Sequence, residues 1–363
     1  MGIEDLNKVI KRVCPRAFTE VHLSTLHGKT IAMDTSLYVY KYVKSQGEMW
    51  LGSMIRMLLA LKRNRIKIVC VYDGTDVPIE KTQERIKRSK TVDRSEERLQ
   101  EIHDVMDMLE NDHMFSAVGV PENIVERIQK IVYRRRGMTE LTDTTDYTSI
   151  RSCYNALERA ESSVAAQSLR VTKRHMKLIH TAIELMGIPS VQAPGEAEAT
   201  CAAMCREGLV YGVLSDDTDV LVYRTPIALS KLDLRNETVV MTGITEVLNG
   251  LELSYDSFLD MCIMLGCDYN TRISGYGAVK CYDMITKYGK IEDMPLADTA
   301  KMCLLHERCR EIFSMEHNSG VLASDIYVDE FDRNGMRQFL IDHGVRMRVE
   351  EISKVFDHGV VFE

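Results

Sequence analysis

Residues 29–34 read KTIAMD and residues 67–73 read KIVCVYD. Each is a short run of apolar, largely β-favouring residues that stops on an aspartate. Between them TSLYVYKYVK (35–44) and MWLGSMIRMLLALKR (49–63) carry helical spacing. Strand, helices, strand is the rhythm of a parallel sheet. Ligand chemistry in such sheets gathers beyond the carboxyl ends of the strands, so Asp34 and Asp73 are expected at one edge. Either aspartate taken alone reads equally well as a turn former or a helix cap.

Outward from this core, a short helix over Ile3–Val13 precedes the first strand. From Pro78 to about Arg174 the chain turns highly charged, helical and poor in strand signals. EKTQERIKRSKTVDRSEERLQEIHDVMDMLE (80–110) reads as one long polar helix. A second helix follows Pro121 and ends at Arg134, Arg135 and Arg136. TELTDTTDYTS (139–149) reads as a loop and NALERAESSVAAQSL (155–169) as a helix. The apolar faces here are thin, so parts of this insertion are expected to order only against a partner. The α/β rhythm resumes with the helix RHMKLIHTAIELMG (174–187). A strand, a turn at Pro194-Gly195 and a helix follow within IPSVQAPGEAEATCAAMCREG (188–208). YGVLSDDTDVLVY (211–223) reads as a strand with an acidic tip, and ALSKLDL and ETVVMTG (228–234, 237–243) as a hairpin. From Tyr255 the pattern is helical, with two or three helices in the last part.

With 363 residues, 45% hydrophobic and 28% charged, the chain can bury a substantial core. Its net charge of −8 argues at first against a nucleic-acid partner. A pocket of carboxylates accounts for most of that excess, while the basic residues cluster at Lys62–Lys67, Lys81–Arg98, Arg134–Arg136 and Arg170–Lys177. Ten cysteines stand as singletons without CxxC or zinc-type spacing, which suits a reducing interior. No run has transmembrane length and the amino terminus has no signal-peptide core, so an intracellular protein is expected.

Three further stretches carry acidic residues where buried elements surface: APGEAEA (193–199), LSDDTD (214–219) and LGCDY (265–269). Glu196 and Glu198, two apart, do not share a face of a regular helix, so a shared ion requires Glu196 in the turn and Glu198 in the helix. If LSDDTD is extended, Asp217 and Asp219 project together and Asp216 points away. Macrodipole preference or a solvated loop would explain either motif alone. Seven carboxylates aimed at one place would repel one another unless divalent cations joined them. An all-oxygen set without His or Cys selects Mg²⁺, or Mn²⁺ in its stead, rather than zinc. Two such ions about 4 Å apart would serve phosphodiester hydrolysis without a protein nucleophile.

In chain order, MGIEDL (1–6), MDTSLYVY (33–40), VYDG (71–74), the basic run ending KRSK (87–90), APGEAEA, SDDTD and GCDY…GYGAVK (266–280) resemble the flap endonuclease / XPG family of structure-specific 5′ nucleases. The resemblance covers roughly residues 1–90 and 175–295, with a weaker echo to about 350. It implies an α/β, PIN-like or resolvase-like nuclease core with a mainly parallel sheet, a charged helical arch, a helix–two-turns–helix module and a helical C-terminal segment. The corresponding boundaries are 1–95 and 175–254 for the nuclease regions, 96–174 for the arch, 255–295 for the module and 296–363 for the last segment. The metal ligands it implies are Asp34, Asp73, Glu196, Glu198, Asp217, Asp219 and Asp268. Lys81 and Arg88, two helical turns apart, match the Lys and Arg at the base of the family's arch, with Arg85 and Lys87 as neighbouring alternatives. The implied DNA contacts are Gly2, Tyr40, Arg56, Gly266, Gly275, Gly277 and Lys280. Tyr38 and Tyr42 compete with Tyr40 for the role of stacking on a base. The module is expected to bind K⁺ alongside DNA.

Two departures stand out. The stretch from Asp73 to Glu196 is longer than in typical flap endonucleases, which leaves the arch's shape and the threading of single strands open. The sliding-clamp box is missing from the C-terminal residues HGVVFE and their surroundings. The expectation is a monomeric, Mg²⁺-dependent endonuclease and 5′-exonuclease that acts on branched DNA such as 5′ flaps in replication, repair or recombination. It would work in a nucleus, or the host's nucleus for a viral chain. The alternatives are a dimeric Holliday-junction resolvase, an RNA 5′-exonuclease, and a junction-binding protein without cleavage.

Overall fold

The computed structural model describes residues 2–76, 78–111, 119–136, 149–314 and 318–357; for residues 83–85, 111, 133–136 and 357 it describes the backbone alone. The chain divides into two compact units. One comprises Met1–Tyr42, Met49–Glu84 and Thr172–Glu363, the other Val43–Glu48 and Arg85–Val171.

The first unit is built on a sheet whose described strands are β1 (Phe18–His22), β2 (Thr30–Asp34), β3 (Lys67–Tyr72), β4 (Ser190–Gln192), β5 (Gly212–Leu214), β6 (Ile227–Asp233) and β7 (Thr238–Gly243). Their order is β1-β7-β6-β5-β2-β3-β4. β2 lies between β3 and β5 and runs parallel to both, and β4 and β6 extend the parallel set. β7 and β1 close that side antiparallel. The central strands are buried on both faces, which is why they read as continuous apolar runs. In register, Ala32 faces the same way as Val69 and Val213, into one large apolar cluster. Ile31, Met33, Ile68, Cys70 and Leu214, also buried, lie outside that cluster, as alternation along a strand requires.

Helix Ala197–Arg206 covers β2, β3 and β5 on the Ala32 face. Helices Leu6–Val13, Ile244–Leu251, Tyr255–Leu265, Ala278–Tyr288 and His306–Ser314 continue that layer. Helix Trp50–Arg63 packs on β3 and against helices Lys173–Leu185 and Val349–Asp357. Among the described residues the last part of the chain holds four α-helices, at 298–304, 306–314, 333–342 and 349–357, rather than two or three. No described helix is long and apolar enough to cross a membrane.

Three local readings are corrected. β1 was not foreseen, because FTEVH is a half-exposed edge strand with little apolar content. LSDDTD is not extended: β5 ends at Leu214, Thr218 is in the helical region and Asp219 begins a short helix to Val222. Burial of two carboxylates in succession needs backbone donors, and a turn supplies them where a strand ladder would not. The insertion is also less bare than its composition implies. In the second unit, helices Thr82–Asn111 (from Arg85 on), Glu122–Arg136 and Ile150–Ser168 bury a core of their own. It is formed by Ile102, Val105, Met106 and Leu109, by Ile128, Ile131 and Val132, and by Cys153, Ala156, Leu157, Ala160 and Val164. All three sets recur every three or four residues, enough for one narrow stripe per helix. The loop expected over 139–149 lies outside the described residues except for Ser149, which caps the last of these helices.

The strand ends are joined backbone to backbone. Gly74 N–H donates to Gly195 O at 2.6 Å and Asp76 N–H to Pro194 O at 3.0 Å. A Cβ on Gly74 would stand 2.1 Å from the carbonyl oxygens of Ala193 and Pro194, and one on Gly195 would stand 2.6 Å from Asp76 O. The VYDG and APGE turns therefore need glycine to come this close. Gly74→Ala is expected to cost about 1–3 kcal/mol, read from urea unfolding; an unchanged midpoint would show that the two turns are not in contact.

Candidate active site

The turns just described set Asp73 beside the Glu196 turn, and three further acidic segments gather around them. Asp34 ends β2, two residues after Ala32, and so projects on the face covered by helix Ala197–Arg206. It is buried, and Leu37 N–H donates to its Oδ1 at 3.0 Å. Asp73 follows β3 on the same face, more exposed, and accepts from Ala197 N–H at 3.0 Å. Both aspartates thus cap helices, the bland alternative in the sequence, while standing at the edge where the other carboxylates lie. Glu196 is the extended N-cap residue of helix Ala197–Arg206 and Glu198 lies in its first turn; both are buried. Asp217 and Asp219 are 5% and 3% exposed. Asp217 Oδ1 accepts from Asp219 N–H at 3.1 Å, whereas Asp219 Oδ1 is buried without a hydrogen-bond partner. Asp216 points elsewhere and pairs with Lys41 at 2.5 Å.

Lys81 is a cation among these acids. Its side chain is 14% exposed, and its Nζ lies 2.5 Å from Glu196 Oε1 and 3.4 Å from Asp268 Oδ2. Burial pulls the ammonium's pKa down, but Glu196, Glu198 and Asp268 outweigh that, so it stands above the ordinary lysine value. The carboxylates respond in the opposite sense. Burial, and then repulsion from neighbouring acids, hold Asp34, Glu198 and Asp219 well above the usual range. Burial raises Asp217 as well, against the opposing pull of the Asp219 N–H.

The remaining sequence candidates lie as follows. Gly2, at φ +81°, lies where a Cβ would be 1.9 Å from Asp217 Oδ1 and 2.6 Å from Asp219 Oδ1, so the amino-terminal residues run against this pair. Of the three tyrosines, Tyr38 is buried, Tyr42 half-buried and Tyr40 exposed. Arg56 is the exposed residue of an otherwise buried stretch of helix Trp50–Arg63. Gly266 ends helix Tyr255–Leu265 at φ +103° and accepts from Glu4 N–H at 3.0 Å. Gly275 has positive φ and open space around it, Gly277 is the N-cap of helix Ala278–Tyr288, and exposed Lys280 lies 3.7 Å over the Tyr276 ring. Arg88 is exposed on helix Thr82–Asn111 and belongs to the second unit.

Other residues of the site were not foreseen. Tyr269 O–H donates to Glu196 Oε2 at 2.5 Å, and Tyr223 lies 3.0 Å from the Tyr269 hydroxyl. A buried tyrosine needs a partner for its hydroxyl, and Tyr269 stands beside Asp268 in GCDY; that adjacency was the available signal. Arg272 ties the GYG loop to the amino terminus, 2.9 Å from Glu4 and 3.3 Å from Asp5.

The donor set is all oxygen, largely buried, and includes the orphaned Asp219 Oδ1; these features fit hard divalent cations. Among the described residues no three of the acids form a ready cage for one ion. Like charges at this density hold apart, with Lys81 between them.

A family model described as the XPG N-terminal domain matches residues 1–96, and one described as the XPG I-region matches residues 187–268. All seven acidic candidates fall within those two stretches. The probable RAD2-like endonuclease 369L of Invertebrate iridescent virus 6 is 28% identical over 340 residues, covering 86% of this chain and 79% of its own length. Flap endonuclease 1 of Candida glabrata is 30% identical over 309 residues, covering 80% and 67%. The catalytic core of Rad2 in complex with DNA substrate superposes with a TM-score of 0.62 at 17% identity, covering 98% of this chain and 99% of that one. Flap endonuclease-1 from Methanococcus jannaschii does so with 0.57 at 20%, covering 94% and 97%. At such identities these superpositions speak for the fold.

Removing one charge from the crowd should help the metal-free protein. In EDTA, Asp219→Asn is expected to melt no lower than wild type. Mg²⁺ is expected to raise the wild-type melting temperature and to raise the variant's less, by differential scanning fluorimetry. Equal shifts in the two proteins would remove Asp219 from the ligand set.

Proposed function

The chain belongs to the XPG family of nucleases, which includes the flap endonucleases, and from that premise we propose that it cuts branched DNA, 5′ flaps foremost, with the aid of Mg²⁺. It is a DNA endonuclease acting on DNA structures. The observation that carries the finer reading is the set of buried acids around Lys81. Buried carboxylates that outnumber the cation beside them are costly, so their presence at the end of a parallel sheet argues for ionic ligands.

Asp34, Asp73, Glu196, Glu198, Asp217, Asp219 and Asp268 would hold two Mg²⁺ ions, or Mn²⁺ in their place. Bound there, the ions would supply Lewis-acid stabilisation of charge at the phosphodiester. The chain's own groups do the rest. Lys81 meets the scissile phosphate and offsets the charge that develops on its oxygens. Arg88, on the second unit, is a further phosphate contact. Tyr40 offers an exposed ring to a base beside the cut. Gly275 and Gly277 let backbone amides approach duplex phosphates, with Lys280 adding charge and K⁺ at the same loop. Gly2, Arg56 and Gly266 complete the proposed DNA-contacting set. Water adds across the P–O bond to leave a 5′-phosphate and a 3′-hydroxyl. Replication, repair or recombination is the proposed setting, in the nucleus of a eukaryotic cell or host.

A labelled 5′ flap, four-way junction, nicked duplex and single-stranded RNA, each with Mg²⁺ and with EDTA, decide the substrate. Cutting of the flap in Mg²⁺ alone is expected; symmetrical cutting of the junction alone would assign a resolvase, and RNA degradation alone an RNA exonuclease. Lys81→Ala is expected to slow single-turnover cleavage about 100-fold while flap affinity changes less than about twofold. A wild-type rate in that variant would discard the role of Lys81.

A further inference from the structure

Lys81 is held by more than the acids it faces. Its chain neighbour Glu80, 17% exposed, accepts a hydrogen bond from Arg308 Nε at 2.8 Å, and its second oxygen is buried without a hydrogen-bond partner. Arg308 lies on helix His306–Ser314 and is fixed from the other side by Glu311 at 2.9 Å. Further along the same helix, buried Phe313 packs its ring 5.2 Å from the rings of both Tyr223 and Tyr269. Tyr269 in turn donates to Glu196 Oε2, the oxygen not facing Lys81, and its ring centre stands 6.0 Å from Lys81 Nζ. One helix, outside both stretches matched by family models, thus grips the lysine segment at Glu80 and steadies the lysine's acidic partner through Tyr269.

The lysine segment needs such support. Ile79–Lys81 is one turn of 3₁₀ helix, and Ile79 is 81% exposed. An unanchored lysine carries about 2 kcal/mol of rotamer entropy. It reaches a phosphate oxygen reproducibly only if its backbone and the opposite carboxylate are both held.

We propose that helix His306–Ser314 is a positioning element for Lys81, with Arg308 holding the Glu80–Lys81 turn and Phe313 holding the Tyr269–Glu196 hydrogen bond. The proposal rests on the reading of Lys81 as the group that meets the scissile phosphate. Phe313 is buried and Arg308 is engaged by Glu80 and Glu311, so both act through Lys81.

The test is a double-mutant cycle on a 5′ flap at saturating enzyme, with wild type, Arg308→Gln, Lys81→Ala and the double variant. Arg308 is 41% exposed, so its loss should leave the fold intact. Arg308→Gln is expected to slow the single-turnover rate about tenfold, to leave flap affinity in EDTA within about twofold, and to slow the Lys81→Ala protein no further. Tyr269→Phe should behave alike in the same cycle. Hydrogen exchange of the metal-free protein gives a readout apart from activity: amides of residues 79–82 should exchange faster in Arg308→Gln. A wild-type rate for Arg308→Gln beside a slow Lys81→Ala would overturn the proposal and leave the role of Lys81 standing. Slowing that multiplies in the double variant would overturn it as well. A fast Lys81→Ala would instead sink the reading on which it rests.

Discussion

One ammonium set among buried carboxylates is the interaction on which the rest of this molecule depends. Two like charges 4 Å apart repel by about 4 kcal/mol at an effective dielectric constant of 20. A few such terms would consume the 5–15 kcal/mol or so by which a domain is stable. Lys81 removes part of that repulsion, and backbone donors from Leu37, Ala197 and Asp219 remove more. The hydroxyl of Tyr269 then fixes the remaining oxygen of Glu196. Protein groups thereby hold the acids in a folded chain while Asp219 Oδ1 stays buried without a hydrogen-bond partner.

The parallel sheet concentrates these groups because its central strands end at one edge and two glycines let their turns touch. Gly74 and Gly195 are as much part of the site as the acids that flank them. The same economy appears at Gly2, whose missing side chain lets the amino-terminal residues lie against Asp217 and Asp219. Function is set here by where side chains are absent as well as by where they are charged.

Much of this was legible beforehand, for reasons particular residues make plain. KTIAMD and KIVCVYD are buried on both faces, so their apolar runs are unbroken and their ends marked by aspartate. Glu196 in the turn and Glu198 in the helix follow from Pro194-Gly195 and the helical period. The features with no sequence signal depend on tertiary contact. FTEVH becomes a strand because β7 lies beside it, not because of its own pattern. Asp217 and Asp219 share an environment through a turn, a conformation that alternation along a strand does not describe. The core of the second unit consists of single-residue stripes that look thin until three helices are laid together. Arg308 and Phe313 are ordinary residues of a C-terminal helix; their bearing on Lys81 exists only in three dimensions.

The acids are spread over the chain from Asp34 to Asp268, with the clamp on Lys81 later still, at Arg308 and Phe313. Contacts of such long sequence separation form late, after the loops between them have closed. A ribosome must therefore finish most of this polypeptide before the acids and Lys81 can assemble, so their cluster belongs to the completed fold and to no single segment of the nascent chain.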